Sequence, residues 1–212
     1  VERAANSAAT QIGGFFMKNV VLLGTLSAAV SSFLVSSGAQ ATQSFTSQYT
    51  SIESSVNNPA GCTLVEFDEE SGYSKEKCPS IAPYTLFVHD GDARMWVSIG
   101  FKNSEKEIFL NSLLHGGAFS ALPGKKAEWR GKFVNGKFTP KYLIIRSASV
   151  VYFPEGEPDT NTQYLAVIRL DSKNSCLVGK VDAKKFSNAN ALAREIADND
   201  KGSLKCLEQW IN

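Results

Sequence analysis

The chain has 212 residues, 43% of them hydrophobic, and carries 22 Lys and Arg against 21 Asp and Glu. That length supports one domain with a proper core. A net charge of +1 spread along the chain leaves no electrostatic footprint for nucleic acid or an anionic membrane surface.

Residues 17–41 read as a signal peptide. Lys18 is a short positive region, 20–35 is apolar, and Ala39-Gln40-Ala41 is a small-x-small cleavage site before Thr42. The apolar run is shorter than the ~20 residues of a spanning helix and is diluted by Ser27, Ser31 and Ser32. Residues 1–16 precede Met17 and read as upstream sequence or an over-extended start. The expectation is therefore one exported domain over 42–212, periplasmic or secreted, with no membrane contact after cleavage and 20 basic against 20 acidic side chains.

Export puts the four cysteines in oxidising conditions, where disulfides form. Of the three possible pairings, Cys62 with Cys78 and Cys176 with Cys206 each bracket one local segment. Loops of 17 and 31 residues would each contribute about 3–4 kcal/mol in the chain-entropy account. Zinc is the competing use of cysteine, but no Cys-x-x-Cys occurs and His89 and His115 lie far from the cysteines in sequence. No metal or cofactor is expected.

In chain order, 42–58 is Ser/Thr/Gln-rich with Phe45, Tyr49, Ile52 and Val56 at helical spacing, which leaves a helix and a loose arm both open. A short strand follows at 62–67, and 68–83 reads as a polar loop tethered by the first disulfide. Strands 84–89 and 94–101 form a hairpin about Asp90-Gly91-Asp92-Ala93, with Val88 opposite Met95 and Leu86 opposite Val97 on one apolar face. Phe87 and Trp96 fall on the reverse face beside His89 and Arg94.

Asn135-Gly136 marks a second hairpin, because both residues tolerate the positive φ of a type I′ turn. The register it dictates pairs Phe133 with Phe138 and Trp129 with Tyr142 on one side, leaving Arg130, Lys132, Thr139 and Lys141 on the other. Pro140 has no N–H to give a neighbour, so its segment belongs at a sheet edge or beside a bulge. Strand continues over 143–153, an acidic loop follows at 154–162, and 164–170 with 176–181 make a third hairpin. The period then becomes helical. Ser187 or Asn188 can cap, Ala189, Leu192, Ala193 and Ile196 line one face, and Arg194 can pair with Asp198 on the other. The sum is an α+β domain: a mostly antiparallel sheet of about seven hairpin-connected strands with a C-terminal helix packed on it.

No catalytic constellation emerges. His115-Gly116-Gly117 is similar to an esterase oxyanion loop, yet no Gly-x-Ser-x-Gly elbow accompanies it. An even cysteine count leaves no spare thiol. Asp90-Gly91-Asp92 sits where a turn is expected, and Asp198-Asn199-Asp200-Lys201-Gly202 lacks the spacing and closing glutamate of a calcium loop. What remains is the long connection 102–126, with Phe109, Leu113, Leu114, His115, Phe119 and Leu122, for which a short helix over 105–114 would account in part. Arg94, Trp96, Trp129 and Arg130 on neighbouring strand faces are of the types enriched at binding hot spots.

Several short pieces resemble a family of exported bacterial proteins of unassigned function. They are Cys62, Cys78-Pro79, Val97-Ser98-Ile99-Gly100, Glu128-Trp129-Arg130, Val181-Asp182-Ala183, the run 188–194, Ile196-Ala197-Asp198 and Cys206. The resemblance implies a periplasmic home with paired cysteines and supplies no catalytic residue. The functional expectation is a soluble, non-enzymatic exported protein that binds a protein or cell-envelope component, a hydrolase inhibitor being one version. The candidate contacts are Arg94, Trp96, His115, Phe119, Trp129 and Arg130. The alternatives are an envelope-directed hydrolase with paired carboxylates, or a purely structural envelope protein.

Overall fold

The computed structural model describes residues 44–150 and 161–207. The signal over 17–41, the stretch 1–16 and most of the acidic loop at 154–162 lie outside the described residues. In chain order the elements are β1 (Thr46–Ser51), β2 (Thr63–Asp68), β3 (Tyr73–Cys78), β4 (Tyr84–Gly91), β5 (Arg94–Phe101), β6 (Ser104–Ile108), α1 (Leu110–His115), β7 (Ser120–Ala121), β8 (Lys126–Val134), β9 (Lys137–Ser149), β10 (Gln163–Arg169), β11 (Cys176–Asp182) and α2 (Ala189–Asn199).

The described strands form one sheet of eleven rather than about seven, in the order β1-β8-β9-β7-β5-β4-β3-β2. From this path β10 and β11 branch off β9, and β6 pairs with β5. It is mixed rather than purely antiparallel, because β7 meets β5 in parallel at Arg94 and Ser120. The additional strands come from segments whose own sequence is polar. β1 lies where a helix or arm was expected, β3 occupies the expected polar loop, and β6 takes half of the expected helix over 105–114, with α1 following it. Thr-Ser-Gln-Tyr-Thr-Ser in β1 and Tyr-Ser-Lys-Glu-Lys-Cys in β3 become strands because a neighbour pairs with them, which is where strand preference mostly originates.

Asn135 and Gly136 both take positive φ, and Phe133 lies opposite Phe138 as the turn requires. Farther from the turn the register departs from expectation. Gly131 pairs with Pro140, but Arg130 pairs with Tyr142 and Trp129 with Leu143, so Lys141 is an extra residue in β9. Pro140 cannot donate to the ladder, and the bulge falls directly beside it. The Lys141 carbonyl instead accepts from Leu170 N at 2.8 Å. One added residue reverses the alternation, so Tyr142 leaves the Trp129 side and faces α2 together with Ile144.

Gly131 makes this close approach possible: a Cβ there would lie 2.2 Å from the Thr139 carbonyl oxygen and 2.8 Å from Pro140 Cα. Gly131→Ala is expected to lower stability by about 1–3 kcal/mol through forced backbone displacement, as a drop in the urea midpoint. An unchanged midpoint would show that the bulge relaxes freely.

The first hairpin is shifted by two residues from the expected register. Its turn is Asp92-Ala93, both at positive φ, which pairs Val88 with Val97 and Leu86 with Ile99. A shift of two preserves the faces, so Leu86, Val88, Val97 and Ile99 still line the core.

That core, with Trp129, Leu143, Ile145 and Ile168, fills one side of the sheet and takes in Leu110 and Leu114 of α1. A second cluster lies between α2 and strands β9, β10 and β11, where Ala189, Ala193 and Ala197 meet Tyr142, Ile144, Leu165, Val167 and Val178. The small side chains let the helix approach closely. Asn188 takes the N-cap position without a side-chain capping bond, and Leu192 and Ile196 sit at the margin of the buried stripe. Both disulfides pair as expected. Cys62–Cys78 ties the start of β2 to the end of β3, and Cys176–Cys206 ties β11 to the chain beyond α2. No helix among the described residues is long and apolar enough to cross a membrane.

Candidate functional site

The six candidate contact residues do not share one surface. Trp129 is fully buried, and its indole N–H donates to Thr50 Oγ1 at 2.8 Å. Arg130 faces α2. Its Nε and Nη2 donate to the two carboxylate oxygens of Asp198 at 2.8 and 2.6 Å, and Nη1 donates to Ser47 at 3.0 Å. Asp198 is therefore taken by the sheet rather than by Arg194, the partner expected one helical turn away. Arg194 instead makes its own bidentate pair with Glu128, at 2.6 and 3.1 Å. These two pairs fasten α2 to β8, so Arg130 and Trp129 belong to the fold.

His115 is likewise internal. It ends α1, and Gly116 and Gly117 follow at positive φ as a helix terminus. Nδ1 lies 2.8 Å from Thr162 Oγ1 and Nε2 lies 3.0 Å from Ser147 Oγ. Because the Thr162 hydroxyl donates onward to Ser149, Nδ1 carries the proton and Nε2 accepts from Ser147. Burial, then Lys180, pull its pKa down to about 4. That hydrogen-bonded Ser–His pair is no nucleophile, since Ser147 has no exposure to a substrate.

The unfolded chain, with an ordinary value of 6.5, takes up this proton more readily than the fold does. Stability contributed by neutral His115 is complete above pH 6.5 and lost as pH falls toward 4. The urea-midpoint gap between wild type and His115→Gln is expected to shrink across that window. A pH-independent gap would contradict the assignment.

Arg94 and Trp96 do share a surface, the outer face of β5, and Phe119 packs against Arg94 there. The Arg94 guanidinium lies 4.7 Å over the Phe119 ring, Nε donates to Gly117 O at 3.1 Å, and Nη1 pairs with Asp92. Trp96 stands two residues along the same face. It stacks on His89 at 5.0 Å, with Tyr73 and Phe109 on its flanks at 6.0 and 5.6 Å, and donates to Glu107 at 3.2 Å.

Beneath it runs a closed polar chain. Ser98 donates to Glu105, so His89 Nε2–H donates to Ser98 at 2.7 Å and Nδ1 accepts from the Tyr73 hydroxyl at 2.9 Å. Lys75 completes it with an ion pair to Glu105 at 2.8 Å. Burial, then Lys75, hold His89 below its usual range and hence neutral. As a donor to a buried Ser98, His89 cannot serve as its base. The arrangement makes an aromatic surface stiff without activating a nucleophile.

One surface was not singled out in the sequence. Among the described residues β2 pairs only with β3, and its apolar residues are open: Leu64 and Val65 are each 52% exposed and Phe67 57%. A Val65 bulge interrupts its register, and the disulfide at Cys62 fixes its start. The signal was the run Leu-Val-Glu-Phe, which reads equally well as a half-buried strand. Only the sheet order shows that it ends a sheet. The long connection 102–126 contributes less surface than expected, because Ile108, Leu110 and Leu114 enter the core.

The fold and these surfaces define a disulfide-braced, mixed-sheet domain with one edge strand whose apolar residues are exposed and an outer face that carries a part-exposed aromatic cluster. No protein-family model, curated protein or solved structure matches the chain. Among the described residues no group of three or more His, Cys, Asp or Glu could hold a metal ion.

Proposed function

We propose that this is an exported, non-enzymatic binding protein that engages a protein or cell-envelope component through the β2 edge. The outer face of β3 to β5 offers a second contact on the other side of the sheet, since Leu64 and Phe67 share the side of Glu76 and Ser74 rather than that of Tyr73 and Arg94. The carrying observation is β2 itself. A terminal strand with open backbone groups and three exposed large apolar side chains is a site for strand addition by a partner. Arg94, Trp96, Phe119 and Tyr73 provide the aromatic and guanidinium contacts that concentrate binding energy. Two disulfides and the signal over 17–41 suit a protein that works outside the cytosol.

The hydrolase alternative needs two facing carboxyls, one of them with a raised pKa. Among the described residues Asp90 is the carboxyl pushed up, and burial is the cause, with no second carboxylate contributing. Binding is therefore the better-supported reading.

The test uses immobilised wild type and Val65→Lys/Phe67→Glu with extracts of cell envelope. A partner retained by wild type and lost by the variant is expected. Equal retention, or no specific partner for either, would overturn the proposal. Both side chains are exposed, so the variant keeps its fold, and a matching thermal midpoint verifies this.

A further inference from the structure

A second surface, sharing no residue with the β2 edge or the outer aromatic face, lies where the first turns of α2 cross β8 and β9. It is a groove of about 350 Å3, floored by the buried Ile144 and Leu165 and walled by Lys126, Arg146, Arg194 and Tyr49. Its placement follows from alternation. Lys126 and Glu128 on β8, Ile144 and Arg146 on β9, and Leu165 on β10 all take the α2 side of the sheet, and the Lys141 bulge puts Ile144 and Arg146 there.

The charges in this groove do not balance. Among the described residues that line it the one carboxylate is Glu128, which is ion-paired in bidentate fashion with Arg194 and also accepts from the Ser47 hydroxyl. Lys125 at the rim is paired with Glu53 at 3.3 Å. Lys126 and Arg146 have no carboxylate partner among the described residues, and Arg146 donates only a long 3.4 Å bond to Gln163 Oε1. Arg194 uses Nε and Nη2 on Glu128 and Tyr49, and its Nη1 hydrogens have no acceptor among the described residues. Two uncompensated cations and several spare guanidinium N–H groups thus surround an apolar floor.

We propose that this groove binds a phosphate monoester carried on a small apolar body. Such a group carries about −1.5 to −2 charge near neutral pH, which matches Lys126 and Arg146 together. Its oxygens suit guanidinium donors in pairs, while Ile144 and Leu165 take the apolar part. The volume lies at the low end of the range for small-molecule sites, about 300–1,000 Å3, which is more than a bare phosphate needs. The same head group could be presented by a soluble phosphorylated compound or by a phospholipid.

Phenyl phosphate, inorganic phosphate and vesicles of phosphatidylcholine with phosphatidic acid distinguish these sources when titrated against the full chain and against Lys126→Gln/Arg146→Gln. Wild type is expected to bind phenyl phosphate saturably, at least about tenfold more tightly than inorganic phosphate, and the variant to weaken that binding by at least about tenfold. Vesicle co-sedimentation that disappears in the variant assigns the head group to lipid. Phenyl phosphate binding without co-sedimentation assigns it to a soluble ligand. No saturation up to about 10 mM, or equal affinity for both proteins, overturns the proposal. Should Arg146→Gln impair folding, Lys126→Glu alone reverses one charge at an exposed position and is expected to reduce phenyl phosphate binding with the thermal midpoint unchanged.

Discussion

Trp129→Ala is expected to lower the unfolding free energy by about 3–5 kcal/mol, the range for removing a large aromatic side chain from a packed core. The indole is fully buried in the main core opposite Leu143, and its N–H donates to Thr50 on the neighbouring edge strand β1. Truncation would leave a cavity in the main core and also release one of the side-chain hydrogen bonds between β1 and β8. Urea unfolding of the purified protein reads this directly. If Trp129 were instead a surface contact residue, stability would stay within about 0.5 kcal/mol of wild type.

The second large effect concerns the Cys176–Cys206 bridge. Replacing both cysteines by serine is expected to lower stability by about 3–4 kcal/mol, from the entropy returned to the unfolded chain by opening a loop of this length. In the folded state the bridge holds 201–207 against β11. There Leu207 N donates to Leu177 O at 2.7 Å, and Arg169 Nη1 donates to Leu204 O at 2.8 Å. Limited proteolysis should therefore cut the serine variant first within 201–207, while wild type resists there. An unaltered urea midpoint together with an unaltered digestion pattern would mean that the segment is held by other contacts.

What was legible in the sequence follows from how local the determining physics is. Asn135-Gly136 fixed Phe133 opposite Phe138 because a two-residue turn dictates its nearest pairs. Four residues farther on, Trp129 and Tyr142 separate to opposite faces, since a bulge beside Pro140 depends on what lies across the strand. Pro140 announced a disturbance without showing that the added residue would be Lys141. In the first hairpin the turn sits at Asp92-Ala93, and an alanine at positive φ carries no sequence signal; the two-residue shift nevertheless left the apolar face intact.

Strands β1 and β3 were hidden for another reason. Each is polar and borders a strand that supplies the pairing, so neither shows an alternating apolar pattern of its own.

The candidate site divides in the same way. Residue type drew attention to Arg94 and Trp96, which share one face of β5, and to Phe119, whose ring lies under the Arg94 guanidinium. Type alone could not separate them from Trp129 and Arg130, whose partners Thr50 and Asp198 are 79 and 68 residues away in sequence. Arg194 and Asp198 have ideal spacing for a helix pair, yet each prefers a partly buried partner on β8 in a bidentate geometry that an intrahelical pair does not offer. Exposure of Leu64, Val65 and Phe67 depends on sheet order, which no short-range pattern encodes.

The sheet is cross-linked at two defined places, and the proposed role outside the cytosol depends on those two bridges. Peptide mapping by mass spectrometry under non-reducing conditions, on protein recovered from its native compartment, is the most direct measurement. The predicted result is two linked peptide pairs, Cys62 with Cys78 and Cys176 with Cys206. Four free thiols, or either cysteine pair exchanged, would contradict it.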